Sequence, residues 1–120
     1  MAKINTLDQV EDWQKLWNGL KPEYSGALLI FKQSPICPTS HYIEEIFKAF
    51  VAELPESDKL RVYSVDVIGA RPVSQQIAAD TKIKHESPQA LLIEGGQKVA
   101  WHASHGDIDD DSLARNVVIS

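Results

Sequence analysis

Cysteine is nearly absent from this chain, since Cys37 is the only one among 120 residues. An internal disulfide is therefore excluded, as is any zinc site that needs a pair of cysteines. The chain also lacks an apolar run of the ~18–20 residues that a membrane-spanning helix requires. Its first segment, Met1–Asp8, lacks the apolar core of a secretory signal. We therefore expect a cytoplasmic protein that has no membrane partner.

Positive charge is scarce as well. Lys and Arg number 12 against 17 Asp and Glu, the net charge is −5, and the basic residues form no cluster. These features argue against a nucleic-acid partner, because such a surface needs a basic patch. The hydrophobic share of 43% and the charged share of 24% are those of an ordinary globular protein. At this length we expect one domain over residues 1–120.

The hydrophobic pattern predicts four strands and four helices. Apolar positions at helical spacing predict helices at 7–17, at 39–54, from 71 onward, and from Asp107 or Asp109 to about 117. Apolar or alternating runs predict strands at 27–31, 60–67, 90–93 and 98–102. Thr6 is the expected N-cap of the first helix. The order implies an α/β fold in which a four-stranded mixed sheet is flanked by helices on both faces.

Cys37 lies at a strand-to-helix turn. The apolar strand 27–31 comes first, a polar link at 32–35 follows, and the second helix begins at about Thr39. Unpaired N–H groups and the helix dipole favour negative charge at such a position, and the thiolate is the reactive form of cysteine. The usual fate of a free cysteine is nevertheless to pack as a small buried hydrophobe. Its position alone leaves a nucleophile and an inert thiol both open.

Two local motifs accompany this turn. Cys37-Pro38-Thr39-Ser40 resembles an active-site Cys-x-x-Cys in which serine takes the second place. Ser87-Pro88 directly precedes the strand 90–93, where thioredoxin-like proteins carry a cis-proline that faces the active cysteine. Together with the element order, these motifs make the chain resemble the thioredoxin fold.

A closer resemblance is to the monothiol bacilliredoxin family, a thioredoxin-like group. It is carried by the Cys-Pro-Thr-Ser turn together with Leu29–Lys32, Arg71–Ser74, His85–Gln89 and Ser104-His105. Such proteins are implied to remove bacillithiol, a small cysteine-containing thiol of some bacteria, from mixed disulfides on other proteins. The resemblance thus implies bacillithiolated proteins and bacillithiol as partners, with no cofactor other than bacillithiol as a thiol co-substrate.

The resemblance also implies roles for individual residues. Cys37 is the implied catalytic nucleophile of thiol–disulfide exchange. Because the place of a second cysteine is taken by Ser40, whose hydroxyl cannot attack a disulfide, an external thiol must resolve the intermediate. The residues expected to support the thiolate are Pro38, Thr39 and Ser40, and those expected to bind substrate are His85, Ser87 and Pro88.

Several alternatives remain open at this stage. Ser40 either bonds the Cys37 sulfur or bonds backbone in the first helical turn, and His85 lies either near the site or in a surface loop. A second function is a monothiol glutaredoxin-like module that binds an iron–sulfur cluster or a thiol, although Pro38 stiffens the turn where such modules usually have glycine. A third is a thioredoxin-like scaffold with an inert thiol. No metal site is expected, because the spacing of His102 and His105 matches no strong zinc pattern.

Overall fold

A computed structural model describes residues 2–117 of the chain. Its strands are β1 (Ile4–Thr6), β2 (Ala27–Gln33), β3 (Leu60–Asp66), β4 (Gln89–Glu94) and β5 (Lys98–Ser104). Its α-helices are α1 (Val10–Asn18), α2 (Pro38–Ala52), α3 (Arg71–Thr81) and α4 (Asp110–Asn116), and a short 3₁₀ turn spans His105–Asp107. Among the described residues, no helix is long and apolar enough to cross a bilayer.

The strands form one mixed sheet in the order β1-β3-β2-β4-β5. The strands β1, β3 and β2 run parallel, whereas β4 and β5 are antiparallel additions at the other side. The expected α/β class is confirmed, and so is a mixed sheet with helices on both faces. The expected strand count was wrong, because the sheet has five strands and not four within residues 2–117.

The missed strand is β1, which pairs Ile4 with Val62 and Thr6 with Ser64 of β3. Three residues are too few to show an alternating pattern, and the pairing partner lies far along the chain. Thr6 was therefore wrongly expected to cap the first helix. That helix begins at Val10 instead, after Gln9, whose side chain makes no capping hydrogen bond. The last helix, by contrast, begins at one of its two expected caps, with a capping box between Asp109 and Ser112.

The central strand β2 separates two cores. Leu28 and Ile30 pack on one face with residues of α1 and α3, whereas Leu29 and Phe31 pack on the other face with residues of α2 and α4. Burying one such side chain contributes roughly 1.5–3 kcal/mol. The prediction that this strand is covered on both faces is confirmed. Those layers hold the C-terminal end of β2 in place, and the chain passes from that end into Cys37.

Candidate active site

Cys37 is the N-cap residue of α2, with extended backbone angles of φ −100° and ψ 119°. Its carbonyl accepts a hydrogen bond from the N–H of His41 at 3.0 Å, and its own N–H donates to Ser34 at 3.4 Å. The cysteine is partly exposed. Cys37 is therefore held at the start of a helix as a partly exposed residue.

The first turn of α2 contains neither an acidic residue nor a side-chain cap. Pro38 occupies the first helical position, no side chain caps the helix, and no acidic residue lies in the first turn. Thr39 is exposed there. The positive end of the helix is therefore not neutralised by a carboxylate. This arrangement differs from α1 and α4, which both carry acidic residues in their first turns.

Ser40 holds the loop that leads to the cysteine. Its hydroxyl oxygen accepts a hydrogen bond from the N–H of Ser34 at 2.8 Å, and its side chain is fully buried. Ser40 was expected to bond either the Cys37 sulfur or backbone, and the structure contains the hydrogen bond to backbone. Ser40 thus fixes the loop that leads to Cys37, and among residues 2–117 its side chain makes no hydrogen bond to the Cys37 sulfur.

The segment that precedes β4 lies beside the end of β2. Gln89 pairs with Lys32 in the antiparallel register of these strands, so Ser87 and Pro88 lie next to the residues that lead to Cys37. The Ser87–Pro88 peptide bond is cis, and the carbonyl of Pro88 accepts a hydrogen bond from His105 at 2.9 Å. The hydroxyl oxygen of Ser87 is buried, and among residues 2–117 it has no hydrogen-bond partner.

A buried lysine, Lys32, contacts residues of two other segments that carry the family resemblance. Lys32 is 0% exposed although it was expected to lie in a polar link, because β2 continues through Gln33. Its Nζ donates to the carbonyl of Ser74 at 3.1 Å and lies 3.3 Å from Nδ1 of His85. The hydroxyl of Ser74 lies 3.1 Å from the same nitrogen. His85 is therefore tied to the sheet through a Lys32–Ser74–His85 network.

Burial and mutual repulsion set the charge of this network. Burial lowers the pKa of Lys32 from 10.5 to about 8. The pKa of His85 is lowered as well, first by burial and then by the positive charges of Lys32 and Arg71, against a smaller opposing effect of Glu86. At neutral pH the lysine is thus mostly charged, and the histidine is held toward its neutral form.

Sequence reasoning missed three members of this arrangement. The burial of Lys32 and the contacts of Ser74 and Gln89 were not foreseen, although each residue lies within a motif that carried the family resemblance. Gln89 is buried and donates from its side-chain amide to the carbonyl of Lys84 at 3.0 Å. It thereby anchors the loop that presents His85. The signal was available in the motifs, but which side chains are buried depends on the assembled sheet.

The other histidines lie apart from this network. His41 is exposed and lies 3.9 Å from the carboxylate of Glu44 on the same helix. His105 lies 3.8 Å from Glu86, and His102 is exposed on β5. None of them joins a group of potential metal ligands with Cys37 in the part of the chain that the structure describes.

Comparison with solved structures shows the fold. A structure described as having a thioredoxin fold is 28% identical, covers 96% of this chain and 94% of its own, and superposes with a TM-score of 0.75. A thioredoxin from Nicotiana alata is 16% identical over 97% of this chain and 90% of its own, with a TM-score of 0.72. A thioredoxin from Fasciola hepatica is 18% identical over 94% and 95%, with a TM-score of 0.70.

A family model extends this result from fold to function class. The model of the monothiol bacilliredoxins matches residues 5–113. The match includes the turn at Cys37, the first turn of α3 and the segment before β4. It agrees with a thiol redox function centred on a single cysteine. The chain belongs to the monothiol bacilliredoxin family.

Proposed function

We propose that this protein is a monothiol thiol–disulfide oxidoreductase that removes bacillithiol from mixed disulfides on other proteins. The observation that carries the proposal is the position of Cys37. This sole cysteine is partly exposed at an uncapped helix start, in a chain of the monothiol bacilliredoxin family.

In the first step, the Cys37 thiolate attacks the bacillithiol sulfur of a modified protein. A new disulfide forms between Cys37 and bacillithiol, the original disulfide breaks, and the substrate protein leaves as a thiolate that takes up a proton. The open N-terminal end of α2 stabilises the attacking thiolate. Ser40 contributes by holding the loop before Cys37 through its bond to Ser34.

In the second step, an external thiolate attacks the mixed disulfide on Cys37. The products are the free Cys37 thiolate and a disulfide between bacillithiol and the external thiol, so the external thiol is the reductant. Ser40 cannot replace it, because a hydroxyl oxygen does not carry out this exchange. The step needs a pool of reduced low-molecular-weight thiol, which fits a cytoplasmic location.

Substrate binding is assigned to the segment before β4. Ser87 and Pro88 lie beside the end of β2, and the backbone of an incoming modified protein pairs with Ser87 as a short added strand. His85 belongs to the same loop and is fixed by Lys32 and Ser74. The partners of the reaction are therefore bacillithiolated proteins on one side and a low-molecular-weight thiol on the other.

The experiment is a mass measurement on the intact protein. Reduced protein is mixed with bacillithiol disulfide, and we expect the mass to rise by one bacillithiol attached at Cys37. A Cys37→Ala variant treated in the same way should show no increase. Failure of the wild-type protein to gain this mass, or an equal gain in the variant, would contradict the proposed function.

A further inference from the structure

A cavity lies near the C-terminal ends of β2 and β3, where the chain also leaves β2 toward Cys37. It has a volume of about 330 Å³ and lies between the loop after β3, the first turns of α3, and His85. The loop is tied to the end of β2, since the N–H of Val67 donates to the carbonyl of Gln33 at 3.0 Å. We call it the Arg71 cavity, and its lining includes Val67, Ile68, Arg71, Ser74, Gln75 and His85.

The Arg71 cavity is cationic in an acidic protein whose net charge is −5. Arg71 and His85 line it, and the ammonium of Lys32 lies behind, 3.3 Å from the His85 ring. Among residues 2–117, no carboxylate lies within ion-pair distance of Arg71 or Lys32. Two cations without a counter-charge around one cavity favour the binding of an anion.

The acids nearby are engaged elsewhere or oppose this charge only weakly. One carboxylate oxygen of Asp66 accepts hydrogen bonds from the N–H groups of Ile68 and Gly69, each at 2.9 Å. Glu86 lies 3.8 Å from His105, and its influence on His85 is smaller than that of Lys32 and Arg71. The first turn of α3 contains no acid, so its positive end adds to the field in the cavity.

We propose that the Arg71 cavity binds the carboxylate-bearing part of the low-molecular-weight thiol whose sulfur is exchanged at Cys37. Arg71 pairs with the carboxylate through its planar fork, the Nε2–H of His85 donates a second hydrogen bond because Nδ1 accepts from Lys32, and Val67 and Ile68 contact the carbon skeleton. The volume fits the lower end of the range for small-molecule sites. This inference rests on the proposed function for the identity of the thiol, which we take to be bacillithiol, a thiol that carries carboxylates.

Binding is tested first without any exchange chemistry. S-methyl bacillithiol cannot form a disulfide, and it is titrated into the protein while the ring signals of His85 are followed by NMR. We expect saturable shifts and a higher pKa of His85 in the complex, because a bound anion favours the imidazolium. The same compound with its carboxylates methylated should cause neither change, and the Arg71→Gln variant should bind the acid at least about tenfold more weakly.

Turnover is tested second, with a reporter protein that carries either bacillithiol or its methyl ester as the mixed disulfide. We expect Arg71→Gln to raise KM for the acid about tenfold and to change kcat less than twofold, which abolishes the preference for acid over ester. The matched control is Arg115→Gln, which removes an exposed arginine on α4 whose partner is Asp111. This control should retain the preference for the acid.

The two measurements separate the two ideas. Binding of the S-methyl acid to wild type without any exchange at Cys37 would support the cavity and contradict the proposed function. Three results would overturn the cavity proposal and leave the proposed function standing, provided that exchange at Cys37 occurs. The S-methyl acid does not bind, the KM values for acid and ester are equal, or Arg115→Gln loses the preference for the acid as Arg71→Gln does.

Discussion

Lys32 carries an ammonium group into the interior of the protein. It is 0% exposed, and its hydrogen-bond partners are the carbonyl of Ser74 and the ring of His85. A charged group without a counter-charge is costly to bury, and the cost appears as a pKa lowered to about 8. Such a residue does not stabilise the fold in its charged form. Its ammonium instead belongs to the network that fixes His85.

The stability of the protein should therefore depend on pH through Lys32. The pKa of Lys32 is about 8 in the folded protein, against an ordinary value of 10.5. The unfolded chain therefore binds more protons between these pH values, and the free energy of unfolding rises with pH there. Below pH 8 the full penalty is present. From pH 7 to pH 10 this group should contribute an increase of roughly 2 kcal/mol.

A Lys32→Met variant isolates this contribution above pH 7, because the other titrating groups are common to both proteins and the pKa of His85, which Lys32 lowers, has an ordinary value of 6.5. We expect the variant to lack the increase in unfolding free energy that Lys32 contributes. The difference in unfolding free energy between the two proteins should therefore change by roughly 2 kcal/mol between pH 7 and pH 10. Urea unfolding at both pH values measures it. Parallel pH profiles for the two proteins would show that Lys32 has an ordinary pKa.

Among the elements, α2 has the most direct effect on the chemistry. Its first turn contains no acid and no side-chain cap. The positive end of the dipole of this 15-residue helix is therefore not neutralised at Cys37. Thr39 is exposed in that turn and can be replaced without disturbing the core. This position offers a test of whether the helix end favours the thiolate.

A Thr39→Glu variant adds a carboxylate to the first turn and should make the thiolate less favourable. We expect alkylation of Cys37 by iodoacetamide at pH 7 to slow by about threefold, since a charge at a helix end contributes typically 0.3–1 kcal/mol. Iodoacetamide is neutral, so repulsion of the reagent does not enter. Thr39→Gln is the control, with a similar shape and no charge. Equal rates for Glu and Gln would show that the helix end has no effect on the sulfur.

The elements also show what the sequence could predict. The apolar run at 27–31 predicted β2 and the alternation at 60–67 predicted β3, because buried and half-buried strands have distinct patterns. By contrast, β1 pairs over only Ile4–Thr6 with a partner far along the chain, and no local pattern marks such a pairing. For the same reason the start of the first helix was misplaced.

For the molecule as a whole, the site combines segments that are distant in the chain. The family resemblance marks Cys37, His85, Ser87 and Pro88 directly, and their roles in the site stay predictions. The network could not, since Lys32, Ser74 and His85 meet only after α3 packs on the sheet and β4 pairs with β2. The alternation of a strand predicts which face a residue takes but not whether a lysine there reaches solvent.

Because Cys37 is the only cysteine of the chain, we expect the reaction to stop after one exchange when no external thiol is present. Without an external thiol, a roughly tenfold excess of a bacillithiolated reporter should release about one equivalent of reporter thiol per protein molecule, because each Cys37 then holds bacillithiol as a mixed disulfide. Thiol titration measures the burst, and intact mass measures the adduct. Adding bacillithiol should restart release and sustain turnover.

A Ser40→Cys variant supplies the missing second thiol within the chain. Its new cysteine should attack the mixed disulfide on Cys37, release bacillithiol and leave an internal disulfide, because an intramolecular thiol has a high effective concentration. We expect its final mass to be that of the oxidised protein without bacillithiol, whereas wild type retains the adduct. Release of several equivalents by wild type without added thiol would show that the cycle does not depend on an external thiol, and the monothiol mechanism would be wrong.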